Sequence, residues 1–200
     1  MAAVITQLQN FTPTREVEII DGIEFEGFGT GGFSAKDLLI LGDDEDDIIE
    51  SGIGHDKIEG GGGNDIITSG DGNDELSGGD GDDYLDGKDG TNKLFGDAGN
   101  DILRVGSGHD RMNGGSDSDT FGFYGAGYFE VQDFTIGEDR LFFDSEKLGV
   151  DNLEQLLSFI IRVEKNDDSV RIEFINDAAS ITLVGVNLDD ITPDMVIFTF

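Results

Sequence analysis

The sequence predicts an all-β fold, a right-handed parallel β-roll with a C-terminal flanking cap that contains one short helix and a few strands. Glycine and aspartate concentrate between Gly42 and Gly122 and recur every nine residues there. A large apolar residue recurs with the same period. The chain carries 44 Asp and Glu against 12 Lys and Arg, a formal net charge of −32. Short strands joined by turns that gather counter-charge account for all three observations.

The repeat runs through nine units of nine residues, from Gly42 to Gly122, without insertion or deletion. Its consensus is G-G-x-G-x-D-x-U-x, where U is a large apolar residue. A low-complexity acidic linker would have no reason to place an apolar residue at every ninth position. The sixth position reads Asp47, Asp56, Asp65, Asp74, Asp83, Asn92, Asp101, Asp110 and Asp119. The eighth position reads Ile49, Ile58, Ile67, Leu76, Leu85, Leu94, Leu103, Met112 and Phe121.

The composition limits the function classes. A net charge of −32 argues against a nucleic-acid partner, because phosphate backbones need basic contacts. No apolar run approaches the roughly 18 residues of a membrane span, and the first residues do not predict a cleavable signal peptide. The chain has no cysteine and therefore no disulfide bonds. A bound metal is the usual alternative means of stabilising an extracellular domain of this kind.

The flanks predict caps for the two ends of the roll. Residues 1–41 form the N-terminal capping segment, with strands expected at residues 17–20 and 38–41, and residues 123–200 form the C-terminal cap. Asp151 is the expected N-cap of a helix that continues to Ile161, and Glu154 completes a capping box. Leu153, Leu156, Leu157, Ile160 and Ile161 would be its apolar stripe. Strands are expected at residues 170–174, 181–184 and 196–200.

Each unit has two predicted parts, a turn over its first six residues and a strand over its last three. Glycines at the first, second and fourth positions permit positive φ values and expose backbone carbonyls. Ca²⁺ takes six to eight oxygen ligands from carboxylates and carbonyls. The candidate ligands are Asp47, Gly52, Gly54, Asp56, Gly61, Gly63, Asp65, Gly70, Gly72, Asp74, Gly79, Gly81, Asp83, Gly99, Asp101, Gly106, Gly108, Asp110, Gly115 and Asp119.

Because two units make one coil, turns two units apart should stack and hold a calcium ion between them. One edge has five stacked sixth-position residues and four gaps, and the other has four residues and three gaps, so up to seven ions are expected. Seven divalent ions would change the net charge from −32 to −18. Lys88 and Asn92 should weaken the gaps beside their unit, and the first and last units are also irregular. Magnesium and zinc fit poorly, and His55 and His109 are expected to be exposed turn residues.

These repeats resemble the RTX (repeats-in-toxin) family of haemolysin-type calcium-binding repeats. The segments 119–123, 131–143 and 181–198 are similar to the region after the roll in secreted metalloproteases and mannuronan epimerase R-modules. The resemblance implies export by a type I secretion machinery through an uncleaved C-terminal signal. It also implies folding outside the cell, where calcium is plentiful.

No catalytic motif is present, since both H-E-x-x-H and G-x-S-x-G are missing from the sequence. The first hypothesis is a secreted, non-catalytic calcium-binding module for folding and export. The second is a module that binds a polysaccharide or a cell surface, with Tyr124, Tyr128 and Phe129 as candidate contacts or, alternatively, as packing residues. An enzyme with an unrecognised site is the third.

Overall fold

The computed structural model describes residues 18–21, 37–166, 169–174 and 179–198. The rest of the predicted N-terminal cap, residues 1–17 and 22–36, lies outside the described residues. The strands are β1 (Glu18–Asp21), β2 (Leu38–Leu41), β3 (Ile48–Ile53), β4 (Lys57–Gly62), β5 (Ile66–Asp71), β6 (Glu75–Asp80), β7 (Tyr84–Asp86), β8 (Lys93–Ala98), β9 (Ile102–Val105), β10 (Gly108–Ser116), β11 (Thr120–Phe123), β12 (Gly127–Val131), β13 (Arg140–Phe143), β14 (Ile160–Asn166), β15 (Ser169–Phe174), β16 (Ser180–Val184) and β17 (Val196–Ile197).

From β2 to β13 successive strands alternate between two sheets, as expected for a β-roll. Sheet 1 has the order β1-β2-β4-β6-β8-β10-β12-β16-β15-β14, and sheet 2 has the order β17-β13-β11-β9-β7-β5-β3. From β2 to β16 and from β3 to β17 every neighbouring pair is parallel. Within the repeats the register joins residues 18 positions apart, such as Ile58 with Leu76. The predicted all-β parallel roll is therefore confirmed.

The core is the column of eighth-position residues. Ile49 is 2% exposed, and the next eight members, from Ile58 to Phe121, are completely buried. Flanking positions seven and nine point outward, as in β3, where Ile48 and Glu50 are both exposed. Burying each such side chain contributes about 1.5–3 kcal/mol, so this column is the main apolar stabilisation of the roll.

The strands are longer than the sequence predicts. Strand β3 contains the last three residues of one unit and the first three of the next, and β4, β5, β6 and β8 have the same extent. The predicted six-residue turn is wrong where the strand extends in this way, since positions one to three then lie in a strand. It is correct for the units Gly42–Glu50 and Gly87–Phe95, whose first six residues lie outside strands. Parallel neighbours 18 residues away satisfy the backbone of the first three positions, for example Gly61 with Gly79.

The roll continues past Gly122. Strand β12 pairs with β10 through Met112 and Val131, and β13 pairs with β11 through Phe121 and Leu141. The offsets there are 19 and 20 residues rather than 18. One extra residue in each of two successive units therefore shifts the repeat out of its frame without interrupting the sheets.

The C-terminal cap contains two α-helices, α1 (Ser145–Leu148) and α2 (Leu153–Phe159), and short 3-10 helices at Leu188–Asp190 and Pro193–Met195. The predicted N-cap of α2 is wrong: the Asn152 side chain accepts from the Gln155 N–H, while the Asp151 N–H donates to Gln155 Oε1 at 2.7 Å. Ile160 and Ile161 lie in strand β14, because α2 ends at Phe159.

Of the predicted α2 stripe, only Leu156 is buried in the described structure, and Leu157 is 55% exposed. No helix in the described part of the chain is long and apolar enough to cross a membrane.

Candidate metal centre

The sixth-position aspartates form two stacked columns on the edges of the roll. Edge 1 is defined by Asp47, Asp65, Asp83, Asp101 and Asp119, and edge 2 by Asp56, Asp74, Asn92 and Asp110. All nine side chains are 1–2% exposed. On both edges the backbone N–H of one member donates to the Oδ1 of the member 18 residues later, at 2.7–3.0 Å. One carboxylate oxygen of each residue thus ties adjacent coils together.

The second carboxylate oxygen has no such partner. In six of these aspartates Oδ2 is buried and receives no hydrogen bond among the described residues: Asp56, Asp65, Asp74, Asp83, Asp101 and Asp110. A buried, unpaired carboxylate oxygen is costly unless a cation binds it. These oxygens fit a divalent cation between the turns.

The first-position glycines form the other wall of each gap on edge 1. A Cβ added to Gly60 would lie 2.2 Å from Asp65 Oδ2 and 2.6 Å from the Gly78 carbonyl oxygen. Gly96 stands in the same relation to Asp101 and Gly114, at 2.2 and 2.5 Å. Glycine therefore brings a carboxylate oxygen and a carbonyl oxygen of the next coil towards one point. The sequence prediction did not include these first-position carbonyls among its candidate ligands.

Edge 2 has a different first position. Ser51, Ser69, Gly87 and Val105 occupy it, and Ser51 Oγ donates to the Ser69 carbonyl at 2.7 Å. The hydroxyl therefore takes up a carbonyl oxygen that remains available on edge 1. The two edges are not chemically equivalent.

Burial raises the pKa of seven carboxyl groups in the two columns: Asp56, Asp65, Asp74, Asp83, Asp101, Asp110 and Asp119. The pKa rises to about 6 for Asp65, Asp74 and Asp101 and to about 7 for Asp83, Asp110 and Asp119. Neighbouring carboxylates of the same edge add to this effect, as Asp101 and Asp65 do for Asp83. A bound cation would act in the opposite direction, because it favours the ionised form.

Glycine is required at the second and fourth positions for a different reason from the first. Among the candidate ligands, Gly52, Gly61, Gly70, Gly79 and Gly115 at the second position and Gly54, Gly63, Gly81, Gly99 and Gly108 at the fourth have positive φ. The first-position glycines do not, so the prediction of positive φ there is wrong. Gly72 and Gly106 are exceptions to the pattern. A Cβ at Gly72 would lie 1.7 Å from the Gly54 carbonyl oxygen, and one at Gly106 2.3 Å from Asp89 Oδ1.

The unit Gly87–Phe95 replaces metal contacts by internal ones. Asn92 Nδ2 donates to the Gly87 carbonyl oxygen at 2.7 Å, where an aspartate would present Oδ2. Lys88 adopts a φ of 53° at the second position, and its Nζ donates to Asp86 Oδ2 at 2.5 Å. An amide and an ammonium group thus satisfy acceptors that a divalent cation would otherwise bind.

The fifth position forms a ladder that the sequence analysis missed. Asn64 N–H donates to Asp46 Oδ1, Asp82 N–H to Asn64 Oδ1, and Asn100 N–H to Asp82 Oδ1, each at 2.7 Å. On edge 2, His55 Nδ1 accepts from the Asn73 N–H at 3.0 Å. The prediction that His55 is only an exposed turn residue is therefore wrong. The missed signal was the recurrence of Asp, Asn, His, Ser and Thr at this position.

The three candidate contact aromatics have different surroundings. Phe129 is 3% exposed and follows Asp110 in the next coil, so it packs in the core and is not a surface contact. Half-buried Tyr124 donates its hydroxyl to Asp86 Oδ1 at 2.5 Å, and its ring lies under Lys147 Nζ. Tyr128 is 41% exposed and stacks on His109, with ring centroids 4.7 Å apart. Of these three aromatic residues, only Tyr128 has an exposed ring.

Side chains alone do not form a closed ligand set. Within the described ranges no group of three or more His, Cys, Asp or Glu side chains has the geometry to hold a metal ion. Calcium bound in these gaps would therefore need backbone carbonyl oxygens as well as the aspartates, which agrees with its preference for six to eight oxygens.

Comparison with known proteins identifies the repeats. The family described as RTX calcium-binding nonapeptide repeat (4 copies) matches residues 41–76, 59–94 and 86–121. No curated protein sequence matches the chain.

The solved structures similar to this chain include a lipase and two epimerase subunits. Extracellular lipase LipA from Serratia marcescens is 20% identical, with 79% of this chain and 39% of the lipase covered and a TM-score of 0.35. The R3 subunit of the AlgE6 mannuronan C5-epimerase from Azotobacter vinelandii is 23% identical, with 74% and 81% covered and a TM-score of 0.41. Its R2 subunit is 22% identical, with 79% and 91% covered and a TM-score of 0.39.

Proposed function

We propose that the chain is a secreted module whose β-roll folds when calcium binds between its stacked turns. The match of residues 41–121 to the RTX calcium-binding nonapeptide repeats supports this proposal. The observation that carries the proposal is the set of six buried Oδ2 atoms without a hydrogen-bond partner. Without a cation these oxygens oppose folding, and with one they become ligands. Calcium supplies this compensating charge and no chemical step.

The proposal includes export and the absence of catalysis. A chain with a net charge of −32 that stays unfolded where calcium is scarce is suited to passage through a type I secretion channel. Extracellular calcium would then drive folding after export. In this proposal the chain acts as a folding and export module and carries out no catalytic step.

Far-UV circular dichroism tests the proposal directly. The metal-free chain should be largely unfolded, and calcium should restore β signal cooperatively at ~10⁻⁴–10⁻³ M, the range of extracellular calcium modules. Magnesium is the control and should not substitute, because it requires near-octahedral geometry and loses water reluctantly. A chain that is folded in chelator and unchanged by calcium would refute the proposal.

A second candidate function, binding of a polysaccharide, rests on a groove beside Tyr128. The groove has a volume of about 700 Å³, and Asn73, Thr91, Arg111, Ser180 and Thr182 are among its lining residues. Its cations already face carboxylates, with Lys93 3.3 Å from Glu75 and Arg111 3.7 Å from Glu130. An exposed ring among hydroxyl and amide groups suits an uncharged sugar better than a polyanion.

Gel retardation in calcium by neutral polysaccharides tests this second function. The variant Tyr128→Ala should lose any retardation. Phe159→Ala, which removes another exposed ring (40% exposed) outside this groove, is the matched control and should keep it. If wild-type protein migrates equally with and without neutral and acidic polysaccharides, the candidate function is wrong.

A further inference from the structure

Strand β14 lies at one end of sheet 1, in the C-terminal cap. Among the described strands it pairs only with β15, and that pair is antiparallel. In such a pair about half of the backbone N–H and C=O groups of the outer strand point away from its neighbour. Within the part of the chain that the structure describes, this side of β14 is therefore open to a further strand.

An apolar row leads from the core to this open edge. Ile181, Ile172 and Val163 are direct neighbours across β16, β15 and β14. Ile181 is 2% exposed, Ile172 is half-buried, and Val163 is 41% exposed. The sheet thus ends in an apolar side chain that the described residues leave largely uncovered.

The opposite face of the same two strands carries charges of alternating sign. Glu164 lies opposite Arg171. Arg162 lies opposite Glu173 in the same ladder. Within β14, Arg162 Nη2 is 2.6 Å from Glu164 Oε1. A strand placed beside β14 would therefore meet one positive and one negative charge, two residues apart on one face.

A second copy of β14 complements this edge in one register. If two copies pair antiparallel about Val163, Arg162 of each copy lies opposite Glu164 of the other. Charges then alternate in sign across the four strands from one β15 to the other, and opposite charges on facing residues stabilise a sheet. On the other face, the two Val163 side chains meet and join the two apolar rows. Pairing centred on Arg162 or on Glu164 would place like charges directly opposite, which is destabilising.

We propose that two copies of the chain associate through β14, so that sheet 1 continues from one molecule into the other around a two-fold axis at Val163. The irregularity of β14 falls between Ile160 and Arg162, so the three central pairs lie in the regular part of the strand. Charged residues on an edge strand usually prevent such pairing, whereas these charges are self-complementary. The interface goes beyond the proposed function, because it uses no residue of the two aspartate columns.

The oligomeric state of the full chain in calcium tests the proposal. Size exclusion with light scattering should give the mass of a dimer. Arg162→Glu places two negative charges opposite each other at position 164 of the second copy and should give monomers. Arg111→Glu is the matched control, since the Arg111 side chain is 61% exposed against 63% for Arg162 and each contacts a glutamate. This control should remain dimeric.

Cysteine cross-linking tests the register. The chain has no cysteine of its own, so Val163→Cys introduces a single thiol. In the proposed register the two Cα atoms at position 163 would lie about 4.5–5.5 Å apart, a distance that a disulfide can span. Val163→Cys should therefore form a linked dimer on mild oxidation. Lys165→Cys, at another exposed position of β14, should stay unlinked, because its two copies would lie about 14 Å apart along the strands.

Wild type that remains monomeric at ~1 mM protein, where even weak dimers are populated, refutes the proposal. So does a dimer that Arg162→Glu leaves intact and that Val163→Cys does not link, because such a dimer uses another surface. A monomer in which the outward amides of β14 are protected from hydrogen exchange also refutes it, and assigns the edge to another segment of the same chain. Circular dichroism shows whether Arg162→Glu is folded, and Val163→Cys decides the question if it is not. A chain that folds without calcium can be tested in chelator, so failure of the proposed function is distinguishable from failure of this interface.

Discussion

Six of the sixth-position aspartates use their two oxygens differently. Oδ1 accepts a backbone N–H from the preceding coil on the same edge, whereas Oδ2 faces a gap without a hydrogen-bond partner. The first bond fixes the carboxylate in place, and the second oxygen then has no means of turning towards solvent. The residue is therefore both a structural link and the part of the roll that is least stable without metal.

The raised pKa values predict that acid partly replaces calcium. Unfolded aspartates titrate near 3.9, whereas the folded metal-free roll has pKa values of about 6 for Asp65 and about 7 for Asp83 and Asp110. Burying these ionised carboxylates destabilises the metal-free folded state most above about pH 7. The destabilisation decreases as pH falls through these pKa values, because the folded state then takes up more protons than the unfolded state. Below about pH 4 both states are protonated and the gain stops.

Circular dichroism of the metal-free chain should therefore show more β signal at about pH 5 than at about pH 8. Calcium should bind more weakly at about pH 5 than at about pH 8, because protons compete for the same oxygens. A metal-free chain that is less structured at the lower pH would contradict these pKa values.

Alanine substitutions at two glycines distinguish the effect of backbone strain from that of a steric clash with the neighbouring coil. Gly79 and Gly52 have φ values of 115° and 102°, so alanine is strained at both positions, by roughly 1–2 kcal/mol. A Cβ on Gly79 would also lie 2.0 Å from the Gly61 carbonyl oxygen, whereas no described atom lies within 4 Å of one on Gly52. Urea unfolding in saturating calcium should show a clearly larger loss of stability for Gly79→Ala. Equal losses would mean that coil spacing adapts freely.

The repeat unit is the element at which the sequence was most informative. The nine-residue period correctly predicted the buried column from Ile49 to Phe121, because inward-facing residues must all be large and apolar. It could not predict that strands extend into the glycines, since glycine has low β-propensity and only the neighbouring coils hold it extended. One extra residue in each of the next two units hid the continuation of the roll through β12 and β13, because a fixed period does not survive insertions.

In the C-terminal cap the sequence was less informative than in the repeats. The apolar stripe predicted a helix near residue 153, but Ile160 and Ile161 extended it too far in sequence because strands and helices share apolar residues. The first-position glycines were assigned the wrong role for a similar reason. Glycine permits positive φ and also permits close approach, and only the structure separates the two.

The irregular unit Gly87–Phe95 predicts a gain of calcium. Asn92→Asp combined with Lys88→Gly restores the consensus and removes the contacts to Gly87 and Asp86. Native mass spectrometry should then count up to two additional ions, one in each gap beside position 92. Thr91→Asp adds one negative charge, as Asn92→Asp does, but at an exposed fifth position, and it should bind no additional ion. An unchanged count in the double variant would show that edge 2 does not bind metal at this level.

At the scale of the whole molecule, charge and compaction are linked. A chain with a net charge of −32 repels itself, and each bound calcium removes two units of that charge. Every ion that binds the roll and not the unfolded chain adds to its stability. Folding of the coils and neutralisation of the chain are therefore one process.

Small-angle X-ray scattering measures this process. An unfolded chain of 200 residues has a radius of gyration of about 48 Å, and a compact one about 16 Å. The elongated roll should lie slightly above the compact value in calcium, and the chelated chain should approach the unfolded value. If calcium does not change the radius of gyration, compaction of the chain does not depend on metal binding and the prediction is wrong.

The ladders of the roll join residues 18 positions apart, and the two edges differ in their first-position residues. Gene changes that add or remove repeats must therefore preserve the spacing of 18 residues between stacked positions. A duplication or loss of eighteen codons leaves every residue on its own edge and every outward side chain on its own sheet. A change of nine codons would exchange the edges for all later coils, so that Ser51-like positions would stand where Gly60-like positions belong. Proteins of this architecture should therefore lengthen and shorten in pairs of units, and relatives that differ in length should differ by whole coils.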